Sequence, residues 1–144
     1  MRRYLVVANQ TLGGEALAEK IRDCLGEGPC EFYVVVPTTH DPYSWTWDED
    51  VARSQAASRL EVALARFRAL GAQVEGEVGD INPLDALGDV ARRQEFDEII
   101  LSTLPVGRSR WLKMDLPHRV ERAFNLPVTH LIGAPEPISP TPLS

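Results

Sequence analysis

Apolar runs alternate with apolar stripes along this chain. Residues 3–8 (Arg-Tyr-Leu-Val-Val-Ala) are a near-continuous apolar run with β-branched members, the pattern of a strand buried on both faces. Asn9 to Gly14 breaks the run. Leu17, Ile21, Cys24 and Leu25 then recur as one face of a helix, which Gly26, Gly28 and Pro29 stop. Phe32 to Val36 is a second strand, ended by Pro37. A polar loop from Thr38 to Asp50 carries Tyr43, Trp45 and Trp47.

The second half repeats the scheme. Ala56, Leu60, Ala63, Leu64, Phe67 and Leu70 keep helical register, and Gly71 follows as a C-terminal cap. Gln73 to Val78 is a weaker third strand. Asn82 before Pro83 marks a helix start, with Leu84, Leu87, Val90 and Ala91 as its buried side. Residues 98–102 (Glu-Ile-Ile-Leu-Ser) predict a fourth strand, and Thr103 to Trp111 a loop. A last helix spans about 115–125, burying Leu116, Val120, Ala123 and Phe124, and a fifth strand follows over 127–132.

Strict β-α alternation requires crossover connections. The expected fold class is therefore α/β, a single-domain open five-stranded parallel sheet with helices on both faces. The domain spans 1–133. Residues 134–144, with Pro135, Pro137, Pro140 and Pro142 among Ser and Thr, predict a disordered Pro-rich tail. At 144 residues the chain is long enough for one well-buried core.

Composition narrows the function classes. The net charge of −6 argues against a nucleic-acid partner. Positive charge is nonetheless concentrated at Arg108, Arg110, Lys113, Arg119 and Arg122, an island able to attract an anion or to serve as a solvated helix face. No apolar stretch reaches the ~20 residues of a membrane span, and the run after Arg2 and Arg3 is too short for a signal core. Cys24 and Cys30 make no disulfide framework. A cytoplasmic protein without membrane attachment is the expectation.

In such sheets ligands sit beyond the carboxyl ends of the strands, where strand order reverses. The loops to inspect are 9–14, 37–48, 79–82 and 102–113. They hold neither a P-loop nor Gly-x-Gly-x-x-Gly, and no Gly-x-Ser-x-Gly elbow. Gly13-Gly14 opens the first helix, as an anion contact or simply as a tight turn. His40, His118 and His130 are scattered without metal-ligand spacing, and no catalytic constellation is visible.

Over residues 3–132 the chain resembles the universal stress protein family. The resemblance rests on Val78-Gly79-Asp80, on Phe96 to Ser102 entering the fourth strand, on Gly107-Arg108-Ser109, and on Val120 with Leu126-Pro127-Val128. It implies the fold shared with adenine nucleotide alpha hydrolase-like, Rossmann-like proteins. ATP-binding members carry Asp after the first strand, where this chain has Asn9. Their phosphate loop, Gly-x2-Gly-x9-Gly-Ser/Thr, ends here on Met114-Asp115, with its first glycines near Leu101 and Leu104. Met114 adds a side chain where backbone meets phosphate. Asp115 brings negative charge to a helix N-terminus, or acts there as an N-cap. Arg108, Arg110 and Lys113 offer side-chain contacts in exchange.

The resemblance implies a non-catalytic protein that binds ATP or another adenine nucleotide, or a related anion, in a modified site. The implied contacts are Ala8, Asn9, Val35, Val78, Gly79, Ser102, Thr103, Gly107, Arg108, Ser109 and Arg110. It also implies a homodimer through the last strand, about 128–132, whose apolar edge needs cover. The alternative is a nucleotide-independent interaction module in which the aromatic loop serves a partner. An enzyme of the wider nucleotide-handling group is a third reading. Trp45, Trp47 and Trp111 lie on the same rim, to cover a base or to pack on the sheet.

Overall fold

The computed structural model describes residues 1–38, 49–105 and 109–133, without the side chain of Arg110. Its elements run β1 (Arg2–Val7), α1 (Glu15–Glu27), β2 (Cys30–Pro37), α2 (Glu49–Ala69), β3 (Gln73–Gly79), α3 (Pro83–Ala91), β4 (Glu98–Thr103), α4 (Arg110–Lys113), α5 (Leu116–Phe124) and β5 (Val128–Ile132). All five strands are parallel, in the order β3-β2-β1-β4-β5. The chain first builds outward from β1 to β3, then crosses back to place β4 on the free side of β1. The order therefore reverses between β1 and β4.

The central strands explain the uninterrupted apolar runs, because each has a core on both sides. Tyr4, Val6 and Ala8 of the first run, with Phe32, Val34 and Val36 of β2, pack against Leu17, Ile21 and Cys24 of α1 and Ala56, Leu60, Ala63 and Phe67 of α2. Leu5, Val7 and Val35 on the other face meet Ala86, Leu87 and Val90 of α3 and Leu116 and Val120 of α5, together with Ile99 and Leu101 of β4. Strand alternation divides consecutive residues between the two cores.

β3 looks weak in sequence because it is an edge strand pressed under a helix. A Cβ on Gly76 would lie 2.4 Å from the Val34 carbonyl oxygen and 2.8 Å from a methyl carbon of Leu60, so no side chain fits. Its opposite face carries Glu75 and Glu77. Arg93 grips Glu77 with two bonds of 2.7 and 2.8 Å, and the Tyr33 hydroxyl donates to it at 2.6 Å.

The helix ends follow local chemistry. Asn82 Oδ1 accepts from the Leu84 and Asp85 amides, as the Asn-Pro signal predicts. Gly71 takes φ +101° behind α2, the left-handed conformation that favours glycine. α2 begins at Glu49, earlier than its apolar stripe shows, because its first turn is exposed. The expected loop over 103–111 contains the short helix α4, one turn being too brief to show a period. The expected tail, 134–144, lies outside the described residues. Among the described residues no helix is long and apolar enough to cross a membrane.

Candidate functional site

The reversal between β1 and β4 brings a group of small polar side chains to the carboxyl ends of the strands. Asn9 follows β1, Thr11 lies in the next turn, and Ser102 and Thr103 end β4. All four are buried. Buried polar groups need partners, and here each finds one within the protein. Asn9 Nδ2 donates to the Pro37 carbonyl at 2.6 Å, tying the end of β1 to that of β2. Its Oδ1 accepts from Arg59 Nη1 of α2, also at 2.6 Å. The Thr11 and Ser102 hydroxyls share a proton at 2.6 Å, and Thr103 Oγ1 meets His130 Nε2 of β5 at 2.8 Å.

Backbone bonds extend this stitching. The Ala8 amide donates to Val35 and the Thr38 amide to Gly79, so the ends of β1, β2 and β3 form one ledge. The Gly133 amide donates to the Thr103 carbonyl at 2.9 Å, and the Leu12 amide to Asn9. Leu12 is fully buried behind the turn. Val35 is fully buried in the α3-side core, whereas Val78 and Gly79 are half-buried. A Cβ on Gly79 would come within 2.7 Å of the Ala86 Cβ, so this glycine admits α3 to the sheet end.

The loop after β4 departs from several expectations. Ser109 is buried, and its Oγ accepts the Leu112 amide at 3.1 Å, capping α4. Met114 is half-buried and packs against the α3-side core. Trp111 is likewise half-buried against that core, so it packs on the sheet side. Asp115 occupies the N-cap position of α5 but makes no side-chain cap bond. Its φ of 57° is left-handed, not the extended conformation that aims a cap oxygen at the helix amides. Pro117 also removes one amide such a cap would take. The carboxylate instead meets His118 Nδ1 at 3.0 Å. Gly107, Arg108, Trp45, Trp47 and His40 lie outside the described residues, as does the side chain of Arg110.

The structure therefore gathers Ala8, Asn9, Val35, Val78, Gly79, Ser102, Thr103 and Ser109 around the carboxyl ends of β1, β2, β3 and β4. Sequence reasoning missed Thr11, Arg59 and His130, which hold three of these residues in place. Two concave openings among the described residues lie elsewhere. A cleft of about 120 Å³ at the amino ends of the strands is lined by Arg3, Glu31, Tyr33, Gln73, Gln94 and Phe96. Another, of about 240 Å³, lies between Met1, Tyr4, Cys24 and Cys30. Neither coincides with the polar cluster at the carboxyl ends of the strands. Both cysteines are free and buried, and burial pushes their thiols up. Among the described residues no group of three or more His, Cys, Asp or Glu side chains is placed to hold a metal ion.

No family model matches the chain, and no curated protein does. Solved structures do. A universal stress protein in complex with cAMP superposes with a TM-score of 0.61 at 15% identity, covering 92% of this chain and 98% of that one. A universal stress protein family protein from Arabidopsis thaliana with AMP bound gives 0.62 at 11% identity, covering 93% of each chain. The universal stress protein from Archaeoglobus fulgidus in complex with dAMP gives 0.59 at 19%, covering 90% of this chain and 97% of that one. The chain has the universal stress protein fold.

Proposed function

We propose that this chain binds an adenine nucleotide, or a related anion, over the carboxyl ends of β1 and β4 without turning it over. It acts in the cytoplasm as a stress-response protein through association with a second copy or a partner. The observation that carries this reading is the group of Asn9, Thr11, Ser102 and Thr103 at the strand-order reversal, where sheets of this kind take ligands. Structures of the same fold hold cAMP, AMP and dAMP.

In this reading Ala8, Val35, Val78 and Gly79 form the apolar wall for a base, and Asn9 offers its amide to the nucleoside. Ser102, Thr103 and Ser109 supply hydroxyls toward the phosphate end. Gly107, Arg108 and Arg110 complete that end with backbone and charge, replacing the glycine cradle of nucleotide-binding relatives. The homodimer forms along β5, about 128–132, whose outer edge has no strand beside it among the described residues.

One observation favours a second reading. The Asn9 amide is engaged on both sides, by Pro37 and Arg59, and the hydroxyls pair with other protein groups. A site satisfied in this way suits a nucleotide-independent interaction module. Calorimetric titration of ATP, ADP and AMP into protein freed of co-purified nucleotide separates the two. Micromolar binding that is lost in R108A and R110A supports the nucleotide site. No bound nucleotide and no heat of binding refute it and leave the interaction module.

A further inference from the structure

Sulfur is scarce in this chain, which has two cysteines and two methionines, yet three of these four residues line one opening. Cys24, Cys30 and Met1 border the cavity of about 240 Å³ at the amino ends of β1 and β2, with Tyr4, Glu27 and Arg2 beside them. The fold brings them together. Cys24 is the last buried residue of α1, and Gly28 and Pro29 link that helix to β2, which begins at Cys30. Parallel pairing then sets Cys30 beside Arg2 of β1. Both cysteines join Tyr4 and Phe32 in the core under α1 and α2.

A buried cysteine commonly serves as a small apolar side chain and nothing more. Two observations set this pair apart. The first is the cavity itself, since packing that only needed to fill a core would have closed it. The second is proximity: negative charge on Cys24 is felt at Cys30 and helps to push its thiol up.

Reactivity narrows what the pair can do. Burial holds both thiols above their ordinary value, and oxidation or alkylation requires the thiolate. At 2% and 6% exposed, neither residue presents itself to a bulky reagent. A small cation escapes both barriers, because it displaces the proton as it binds.

The donors choose the cation. Two thiolates and a thioether are soft ligands, the set that selects Cu(I) over harder ions. Structural zinc takes four ligands, and among the described residues no group of three or more His, Cys, Asp or Glu side chains is placed to hold a metal ion. A monovalent d10 ion is satisfied by two thiolates facing one another across it. Met1 is 69% exposed, which leaves its thioether at the mouth of the cavity. Tyr4 neighbours Cys24, and burial pushes its phenol up to about 12, so it stays protonated and able to donate to the sulfur at neutral pH.

We propose that Cys24 and Cys30 bind one soft monovalent cation of the Cu(I) class at the amino ends of β1 and β2, with Met1 as a third donor. The site lies at the other end of the sheet from Asn9 and Ser102 and stands independently of the nucleotide reading. Each thiol passes its proton to water as its sulfur–metal bond forms. Uptake of one cation therefore releases two protons, and no electron is exchanged.

Anaerobic titration of the reduced full chain with Cu(I), in competition with a chromogenic Cu(I) chelator, measures stoichiometry and affinity. The expected result is one Cu(I) per chain, with sulfur as its only donor in X-ray absorption of the wild-type protein. C24A and C30A are each expected to weaken binding by more than about 100-fold, beyond the loss of about 10–100-fold typical of an outer partner. M114L leaves binding unchanged, because that sulfur packs against the α3-side core. Circular dichroism checks the fold of each variant, and C24S or C30S replaces an alanine variant that does not fold. The wild-type absorption spectrum needs no variant at all. No Cu(I) retained against the chelator, nitrogen or oxygen donors in that spectrum, or binding unchanged in either cysteine variant overturns the proposal. A chain that takes up no Cu(I) but closes a Cys24–Cys30 disulfide in air overturns it equally.

Discussion

Thr11 and Ser102 are 91 residues apart in sequence, yet their hydroxyls lie 2.6 Å apart with only 2% and 1% of these residues exposed. Water cannot replace either partner if the other is removed. T11V keeps the shape of the side chain and deletes its hydroxyl, which strands the Ser102 hydroxyl. S102A does the converse. Leaving a buried polar group unsatisfied costs about 1–3 kcal/mol, so each single variant is expected to lose about that amount. In T11V/S102A nothing is left stranded, and the double variant is expected to lose no more than one single variant. The coupling is therefore of the order of 1–3 kcal/mol and favourable, far above the few tenths expected between independent sites. Urea unfolding followed by circular dichroism gives the four stabilities, with an unchanged denaturant slope as the control for native compactness. Strict additivity of the two losses would refute the assignment of this pair as mutually dependent, and with it the view that protein groups alone satisfy the site in the absence of ligand.

Other perturbations probe different links. N82A removes the cap of α3 and is expected to cost about 1 kcal/mol, read as a lower urea midpoint; an unchanged midpoint contradicts the cap. G79A drives a methyl group into Ala86 and Val35 and is expected to cost about 1–3 kcal/mol, since both neighbours belong to the packed α3-side core. D115G relieves a left-handed residue and is expected to raise stability by up to about 1 kcal/mol, with loss of the exposed His118 contact making little difference. Partial burial works against the Glu77 carboxylate, but Arg93 and Tyr33 outweigh it and hold its pKa below the ordinary range. A depressed carboxylate stabilises the fold above its unfolded pKa and loses that contribution as pH falls through the lowered value. Acid titration of E77Q should consequently show a shallower loss of stability in that window than the wild type.

The strands were legible because a parallel sheet with two cores leaves no room for polar alternation, and runs such as 3–8 and 98–102 announce it. α3 was legible from Asn82 and Pro83, whose capping chemistry is local. α4 was not, for a helix of four residues has no period, and its cap at Ser109 looks like any loop serine. The same division holds at the candidate site. Asn9 stands out as the first polar residue after β1, and Ser102 and Thr103 end an apolar strand. Arg59 sits 50 residues from Asn9 on a helix dense in charge, and His130 reaches Thr103 across a strand pairing, so no sequence window contains either contact. Asp115 shows the limit most clearly. Its residue type suits an N-cap, but the turn from α4 into α5 imposes a left-handed backbone that residue type does not reveal.

The two faces of the sheet also differ in when they are completed. Among the described residues nearly all of the core beneath α1 and α2 comes from residues 4–78, and only Ile100 and Leu131 come from later in the chain. The other core needs Leu5, Val7 and Val35 from the beginning but Leu116 and Val120 from near the end. A ribosome adding roughly 5–20 residues per second therefore leaves those early residues uncovered for several seconds after β3 has emerged. During that interval the nascent chain presents an apolar sheet face to its surroundings, and its exposure ends only when α3 and α5 arrive to close it.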